Sequence, residues 1–245
     1  IGSGSGDRVT GNVDVDVGLL QSNRRLISVG EDCDLSPCDS TRPVITESGT
    51  AFQAKVRDCI YGTCPEDVPI GCWDTSEVTD MAFAFNNLNR FDDSINCWNT
   101  ARVTDMNHMF DGANSFNQPL DDWNVASVNN MYRMFKYETN FNQPLDDWNV
   151  ASVTTMEEMF YKAYNFNQPL NNWNVTRVKS MGYYYGDYFY SYGSGMFALA
   201  TNFNQPLDDW DVSSVTDMRQ MLSNASAFNQ CLSTWAGKAL SDVDV

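Results

Sequence analysis

The sequence predicts an α/β solenoid, a stack of about seven similar coils in which a short strand is followed by one to two turns of helix. Every tryptophan lies in one register, 25 residues from the next except for a single interval of 37. A leucine or isoleucine lies three residues before each tryptophan, and a valine lies five residues after each of the first six. The tryptophans are Trp73, Trp98, Trp123, Trp148, Trp173, Trp210 and Trp235.

The strand and the helical turn are predicted from the spacing inside one unit. Residues 120–125, Leu-Asp-Asp-Trp-Asn-Val, have the LxxLxL spacing of a short strand, with Trp123 and Val125 pointing inward. The next apolar residues lie at i, i+3, i+6 and i+7, which is one face of a helix. They are Val128, Met131, Met134 and Phe135. Recurring asparagines predict a ladder that satisfies backbone groups of the turns: Asn117, Asn142, Asn167, Asn204 and Asn229.

Residues 148–170 have the sequence WNVASVTTMEEMFYKAYNFNQPL, in which W, V, M, M-F and F-N-Q-P-L lie at fixed offsets. This unit resembles the tandem repeat of the BspA-like surface-protein families. The resemblance extends from about residue 45 to residue 245. It implies a leucine-rich-repeat-like, right-handed coil stack with short parallel strands on one face and short helical turns on the other. It also implies a secreted or cell-surface setting, a role in adhesion, matrix or assembly, and no reaction.

The chain divides into three predicted regions. Residues 1–44 carry Gly-Ser-Gly-Ser-Gly and alternating Val-Asp, and they are expected to form an extended N-terminal arm or linker. Within 45–69, Phe52, Val56 and Ile60 recur at i+4 and predict an amphipathic helix that caps the open end of the core. Residues 70–245 hold the repeats, with a Tyr-rich insertion at 182–195.

Six of the seven cysteines fall within the first 97 residues, which predicts disulfides that staple this end in an oxidising compartment. Two pairings of Cys72 stay open: with Cys97, at the equivalent position one coil later, or with Cys64 of the cap. Cys231 stands where other repeats have proline, and it is expected to pair beyond Val245 or with another chain. The disulfide candidates are Cys33, Cys38, Cys59, Cys64, Cys72, Cys97 and Cys231.

The composition favours an extracellular protein that binds neither nucleic acid nor anionic membranes. Its 15 basic and 32 acidic residues give a net charge of -17, which repels phosphate groups. The glycosylation sequons at Asn174 and Asn224 fit a secreted chain. No stretch reaches the roughly 18 apolar residues of a membrane span. Since the chain begins at Ile1 rather than Met, we expect that a leader has been removed or that the chain is trimmed.

The interval of 37 residues marks a 12-residue insertion that is rich in tyrosine. Insertions in short repeats leave the stack as loops that often carry binding surface, and tyrosine supplies rigid, amphipathic contact area. We therefore expect an intermolecular interface here, the alternative being that the rings pack on their own coil. The interface candidates are Tyr183, Tyr184, Tyr185, Tyr188, Phe189, Tyr190 and Tyr192.

No residue set in the sequence predicts catalysis. Paired carboxylates such as Asp121–Asp122 suggest glycoside hydrolysis, but they are copies of one repeat position, whereas a catalytic pair occurs once. His108 is the single histidine and the cysteines lack paired CxxC spacing, so neither a nucleophilic triad nor a zinc site is expected. We expect no cofactor. Calcium bridging the stacked aspartates is the alternative, although Asn171–Asn172 interrupts their column.

Two functions stay open. The leading hypothesis is a secreted or cell-surface structural and adhesive protein that packs into a matrix, appendage or filament, with copies of itself or other matrix proteins as partners. The alternative is an extracellular carbohydrate- or protein-binding module whose polar strand face contacts glycans or proteins. That face comprises Asp122, Asn124, Asp147, Asn149, Asn172 and Asn174.

Overall fold

The computed structural model describes Cys38, residues 42–182 and residues 194–235. Regular secondary structure within them is sparse, since it consists of one α-helix and three short 3-10 turns. These are α1 (Thr50–Tyr61) and the turns Pro65–Asp67, Ile70–Cys72 and Ser233–Trp235. At 12 residues α1 is too short to cross a membrane, and the described residues contain no other candidate span.

The helix α1 is the one predicted from the i+4 spacing of Phe52, Val56 and Ile60. Phe52 and Val56 are fully buried, and Ile60 packs against the core. The Phe52 ring meets the indoles of Trp73 and Trp98 edge-on, at centroid distances of 6.5 and 5.6 Å. The helix therefore covers the aromatic core at the first repeat, where the core would otherwise face water.

Each repeat is a succession of three-residue turns. In the repeat that begins at Leu145, the N–H of Trp148 donates to the carbonyl of Leu145, and Val153 donates to Val150 in the same way. The same bond recurs at Met159–Met156, Ala163–Phe160 and Phe166–Ala163. The residues that close these turns are buried, so apolar side chains spaced three apart all reach the core.

The predicted fold class is wrong, first because the apolar segment after each valine forms no helix. Arg133 and Glu158 have φ of 57° and 53°, whereas a right-handed helix requires negative φ throughout. The N–H of Arg133 donates to the carbonyl of Glu157 in the next repeat, at 3.0 Å. Apolar residues at i, i+3, i+6 and i+7 fit consecutive turns as well as they fit a helix, so this pattern did not separate the two.

The predicted parallel strands are also absent from residues 42–182 and 194–235, because the LxxLxL segment turns. The N–H of Trp123 donates to the Leu120 carbonyl, and Oδ1 of Asn124 accepts a backbone N–H two residues later. Such side-chain bonds compete with a strand ladder. Isolated parallel bridges form elsewhere, between residues 80 and 105, 105 and 130, 130 and 155, 155 and 180, and 180 and 217. The leucine-rich-repeat-like strands and helical turns are therefore not observed.

Neighbouring repeats are joined by backbone hydrogen bonds at every second residue. The N–H groups of Arg133, Phe135 and Tyr137 donate to carbonyls of the following repeat at 2.8 to 3.0 Å. The residues between them bond within their own repeat, as Met134 does to Met131. Equivalent side chains of successive repeats consequently lie next to each other.

This alignment stacks the core into three columns of aromatic rings. Trp98, Trp123 and Trp148 follow one another at 6.4 Å between centroids, nearly parallel. Their indole N–H groups donate to carbonyls of the preceding repeat, as Trp148 does to Leu120 at 2.9 Å. The first phenylalanine column is Phe85, Phe110, Phe135, Phe160 and Phe197, and the second is Phe91, Phe116, Phe141, Phe166, Phe203 and Phe228.

The predicted asparagine ladder is confirmed. Oδ1 of Asn117 accepts the backbone N–H of Asn142 at 2.9 Å, and the same bond continues through Asn167 and Asn204 to Asn229. Each asparagine thus satisfies a backbone donor of the next repeat, which lowers the cost of packing the turns closely.

The N-terminal end is stapled by disulfides, but both predicted partners of Cys72 are wrong. Cys72 pairs with Cys38 across a Cα–Cα distance of 5.5 Å, and Cys64 pairs with Cys59 across 3.8 Å. The guanidinium of Arg42 lies beside this disulfide and donates to the carbonyl of Cys72 at 2.9 Å. The spacing of the cysteines along the sequence does not show that Cys38 lies beside Cys72 in the folded protein.

Three further cysteines complete the set. Cys97 is also disulfide-bonded. Cys231 carries an exposed thiol without a disulfide partner among the described residues, so its pairing beyond Val245 or with another chain stays a prediction. Cys33 lies outside the part of the chain that the structure describes.

Candidate interaction surface

Four positions on the turns after the first methionine of each repeat differ from repeat to repeat. They are the first, second, fifth and sixth residues after Met81, Met106, Met131, Met156 and Met218. The third and fourth residues after each of these methionines are apolar and buried. We call the four variable positions the turn face: residues 82, 83, 86, 87, 107, 108, 111, 112, 132, 133, 136, 137, 157, 158, 161, 162, 219, 220, 223 and 224. In the interrupted repeat, residues 182, 195, 198 and 199 take these positions.

The turn face combines a constant backbone with changing side chains. Phe83, His108, Arg133 and Glu158 occupy one position, and all four have φ between 52° and 60°. Core positions repeat the same residue because each must fill a closely packed column. Repeat proteins bind partners through extended faces of this kind, where the scaffold is regular and the side chains vary.

Stacked aromatic rings lie at the N-terminal end of the turn face. The Phe83 ring stacks on the His108 imidazole at 4.5 Å, and Tyr132 meets the same imidazole edge-on at 5.1 Å. Nδ1 of His108 lies 2.7 Å from the carboxylate of Asp111. The histidine is thus held in an aromatic stack, with one ring nitrogen taken up by a carboxylate.

A buried ion-pair network occupies the middle of the turn face. The carboxylate of Glu158, a residue only 3% exposed, accepts hydrogen bonds of 3.1 and 2.8 Å from the Arg133 guanidinium. It accepts a third from the ammonium of Lys136. Two cations share one carboxylate, an arrangement in which charge-assisted bonds are strong and loss of the anion is costly.

Two tyrosines and two lysines form a compact cluster beside this network. The rings of Tyr137 and Tyr161 lie edge-on, 5.5 Å apart. Nζ of Lys136 and Nζ of Lys162 each lie 5.0 to 5.3 Å from the two ring centroids, within reach of cation–π attraction. Burial raises the pKa of Tyr137, and that of Tyr161 to about 12, so both phenols stay protonated donors at neutral pH.

Exposed aromatic surface is concentrated on this side of the repeats. Of the five exposed large hydrophobic side chains among the described residues, Phe83 and Tyr137 belong to the turn face, and Tyr164 lies at its margin. These three are 38 to 40% exposed. The other two, Val44 and Tyr61, lie at the N-terminal end. Two of these rings, Tyr137 and Tyr164, lie in successive repeats, whereas Phe83 lies two repeats before Tyr137.

The Tyr-rich insertion leaves and re-enters the chain within the turn face. Met181 and Met196 flank it, both fully buried, and the N–H of Met196 donates to the carbonyl of Met181 at 2.8 Å. Gly182 and Gly195 lie so close to the next repeat that a Cβ on either would collide with a backbone carbonyl. The predicted interface residues Tyr183 to Tyr192 lie outside the part of the chain that the structure describes.

The side chains predicted to form a polar strand face are mostly engaged locally. Three of them each accept the backbone N–H two residues later and so stabilise their own turns. These are Asn124, Asn149 and Asn174. Asp122 accepts a hydrogen bond from Asn96, and Asn172 donates to Asp146. Asp147 is exposed. Three of the six side chains thus stabilise their own turns, and ligand binding by this face stays a prediction.

The stacked aspartates are bonded by neutral donors. Asp121 accepts from Asn96, Asp146 from Asn172 and Asp208 from Thr234, in each case from an adjacent repeat. Among the described residues, no three His, Cys, Asp or Glu side chains approach closely enough to hold a metal ion. Each of these three carboxylates thus has a neutral hydrogen-bond donor from an adjacent repeat.

Glu138 is a buried carboxylic acid directly after the turn face. It is fully buried, and neither oxygen has a hydrogen-bond partner among the described residues. The equivalent residues of the adjacent repeats are Ala113 and Ala163, whose small side chains leave it room. Burial raises the pKa of Glu138 to about 9. The negative charge of Asp92 also raises this pKa, and the backbone of Asn140 lowers it.

Neither the turn face nor Glu138 was predicted from the sequence. A helical assignment places Arg133 and Glu158 on a solvated helix face, where charged residues are ordinary. The turn face can be found in the sequence by aligning the repeats on their tryptophans. The core positions then hold mostly the same residue types in every repeat, whereas the turn-face positions hold different ones. Glu138 then stands alone in a column that otherwise holds only alanine or leucine.

A family model described as Mycoplasma protein of unknown function, DUF285, matches residues 55–150, 95–189 and 191–245. The first two matches overlap, which agrees with a tandem array, and the three together cover well over half of the chain. No curated protein and no solved structure matches the sequence. The chain therefore belongs to the DUF285 family of repeat proteins.

Proposed function

We propose that this protein is a secreted or cell-surface structural and adhesive protein that binds a protein partner through the turn face. One observation carries the proposal. The positions at which the repeats differ are also those at which aromatic and cationic side chains gather, with Tyr137 exposed beside Lys162. Tyr164 is exposed at the margin of these positions. A face that served only to shield the core would not need this concentration of rings.

The composition of the turn face supports a protein partner. Tyrosine and arginine dominate the energetics of protein interfaces, because they combine large contact area with hydrogen bonding. Tyr132, Tyr137 and Tyr161 contact Arg133, Lys136 or each other, so their rings are held in place before a partner arrives. Pre-ordered side chains lose less entropy on binding.

An oxidising, extracellular setting is supported by the cysteines and the sequons. The bonds Cys38–Cys72 and Cys59–Cys64 would be reduced in most cytosols. The sequon asparagines Asn174 and Asn224 are both exposed, as glycan attachment requires.

Action by binding rather than by catalysis is part of the proposal. The repeated aspartates are engaged with neighbouring amides and hydroxyls, and His108 is paired with Asp111 inside an aromatic stack. The structure thus offers these groups structural partners, which is what a binding scaffold needs.

The test compares how much protein stays on the surface of the producing cells and how much is released. The variant Tyr137→Asn, Tyr164→Thr borrows residues found at equivalent positions, Asn87 and Thr139, so the turns are preserved. We expect retention to fall about tenfold, the effect of losing roughly 1.4 kcal/mol of binding free energy. Tyr61→Ala, which removes an exposed tyrosine from α1, is the matched control and should change nothing. Equal retention of all three proteins would contradict the proposal.

A further inference from the structure

We infer that the turn face binds the aspartate pairs of a second copy of this chain, which names the partner in the function proposed above and rests on it. By aspartate pairs we mean Asp121–Asp122, Asp146–Asp147 and Asp208–Asp209, which precede three of the repeat tryptophans. The inference rests on charge complementarity between two faces of one molecule.

The first face is slightly basic, although the protein as a whole is acidic. The chain has 32 acidic and 15 basic residues, yet the turn face carries four cations against three carboxylates. The cations are Arg133, Lys136, Lys162 and Arg219, and the carboxylates are Asp111, Glu157 and Glu158. Lys162 forms no ion pair among the described residues; its ammonium lies over two tyrosine rings. It is therefore available to a carboxylate from outside.

Three carboxylates of the second face form no ion pair with another described residue. Among the described residues, neither Asp146 nor Asp147 nor Asp209 forms an ion pair, and Asp147 and Asp209 are exposed. Asp146 is bonded to Asn172, which is neutral. The pairs at 121–122 and 146–147 lie in successive repeats, and Asn171–Asn172 separates them from the pair at 208–209.

Phenol groups add hydrogen-bond donors to the basic face. The raised pKa values of Tyr137 and Tyr161 keep both hydroxyls protonated, and a protonated phenol donates to a carboxylate. Tyr164 provides further exposed ring area beside them. A partner that brings aspartates thus meets ammonium and hydroxyl groups together.

The two faces are formed by different segments of each repeat. Asp147 follows Tyr137 by ten residues and precedes Glu157 by ten, midway between successive turn-face segments. A heterologous contact between two such patches repeats from copy to copy, and it closes into a ring or grows into a filament according to the rotation between copies.

The net charge predicts an unusual dependence on salt. Two copies of charge -17 repel at long range, and this repulsion is strongest at about 0.01 M salt, where the Debye length is about 30 Å. At about 0.15 M the length falls to about 8 Å, which screens the distant charges but spares contacting ones. At about 1 M the contacting pairs are weakened as well. Association should therefore be strongest at intermediate salt.

Sedimentation velocity of the full chain over a concentration series, at these three salt concentrations, tests the inference. Lys162→Glu reverses the basic face and Asp147→Lys reverses the acidic face, and each alone should weaken association at least about tenfold. A mixture of the two variants restores opposite charges across the contact and should associate again. Arg177→Glu, an equal charge change at an exposed residue outside both faces, is the control. Circular dichroism melting confirms that each variant folds.

Several results would overturn the inference. The wild-type protein could stay monomeric at every concentration and salt, Arg177→Glu could act as strongly as Lys162→Glu, or the mixed variants could fail to associate. Loss of cell-surface retention in Tyr137→Asn, Tyr164→Thr with a monomeric wild type would leave the proposed function standing and exclude the second copy as partner. Unchanged retention and a monomeric wild type would remove both.

Discussion

The guanidinium of Arg133 donates two hydrogen bonds to the carboxylate of Glu158, the residue at the equivalent position of the next repeat. Both residues have positive φ, so the ladder of backbone bonds places their side chains directly next to each other. The same adjacency stacks Phe83 on His108 two repeats earlier. Whatever side chain a repeat puts at this position therefore interacts with its neighbours, and the turn face behaves as one continuous surface.

Replacing Glu158 with glutamine should lower the free energy of unfolding by about 3 kcal/mol, because Arg133 and Lys136 lose the buried carboxylate that they share. Gln220 occupies the same position with the same backbone conformation, so the substitution adds no strain. Urea denaturation measures the change. The control is Glu77→Gln, which breaks an exposed ion pair with Arg102 and should cost less than about 1 kcal/mol. Equal losses would show that Glu158 behaves as a surface residue.

Glu138→Ala should stabilise the protein at neutral and alkaline pH. The folded carboxyl has a pKa of about 9 and the unfolded one titrates near 4.5, so the folded state binds more protons between these values. Stability is then fully present below pH 4.5 and is lost as the pH rises towards 9. By about pH 7 the loss is about 3 kcal/mol, which the alanine variant avoids. Melting temperatures of parent and variant should diverge as pH rises; parallel curves would contradict the assignment. Glu66→Ala, at an exposed position, is the control.

The sequence predicted which residues are buried better than it predicted how the chain runs between them. Trp148, Met156 and Phe160 recur because each fills a column, and a column requires the same residue in every repeat. A helix and a succession of turns both bury apolar residues spaced three apart. The apolar periodicity therefore does not distinguish the two backbone conformations. A glycine in the sequence would have indicated a backbone with positive φ. Arg133 and Glu158 have positive φ, but their residue types do not indicate it. Which cysteines form a disulfide depends on which segments of the chain meet in the folded protein. The spacing of the cysteines along the sequence does not give this information.

Trp148→Ala should cost about 3 to 5 kcal/mol, since it removes a buried ring from the middle of a column. Its indole N–H also bonds the Leu120 carbonyl, which would be left without that donor. Trp148→Phe keeps a ring but loses the N–H, and it should cost less. Thermal unfolding of both, with Tyr61→Ala as an exposed aromatic control, gives the ranking. A shift of only a degree or two for Trp148→Ala would mean that the column contributes little.

Intact mass measured with and without reductant should reveal at least two disulfides in native material. Peptide mapping should then connect Cys38 to Cys72 and Cys59 to Cys64. Reduction should destabilise α1 first, because Cys59 lies in it, and hydrogen exchange of the helix reports this. Seven free thiols in native protein would remove the support for an extracellular setting.

Deleting residues 183–194 should leave the repeat array folded while weakening cell-surface retention and self-association. The deletion joins Gly182 to Gly195 and restores the 25-residue interval between Trp173 and Trp210. The two ends already meet, since Met196 donates to Met181 and both are buried, so closing the gap moves little of the core. The melting temperature should stay within a few degrees of the parent value. A deletion of equal length at 151–162 removes core residues and shifts the register, and it should unfold the protein. If the shortened chain unfolds, and the parent shows no association at any accessible concentration, the insertion is part of the local core and not an interface.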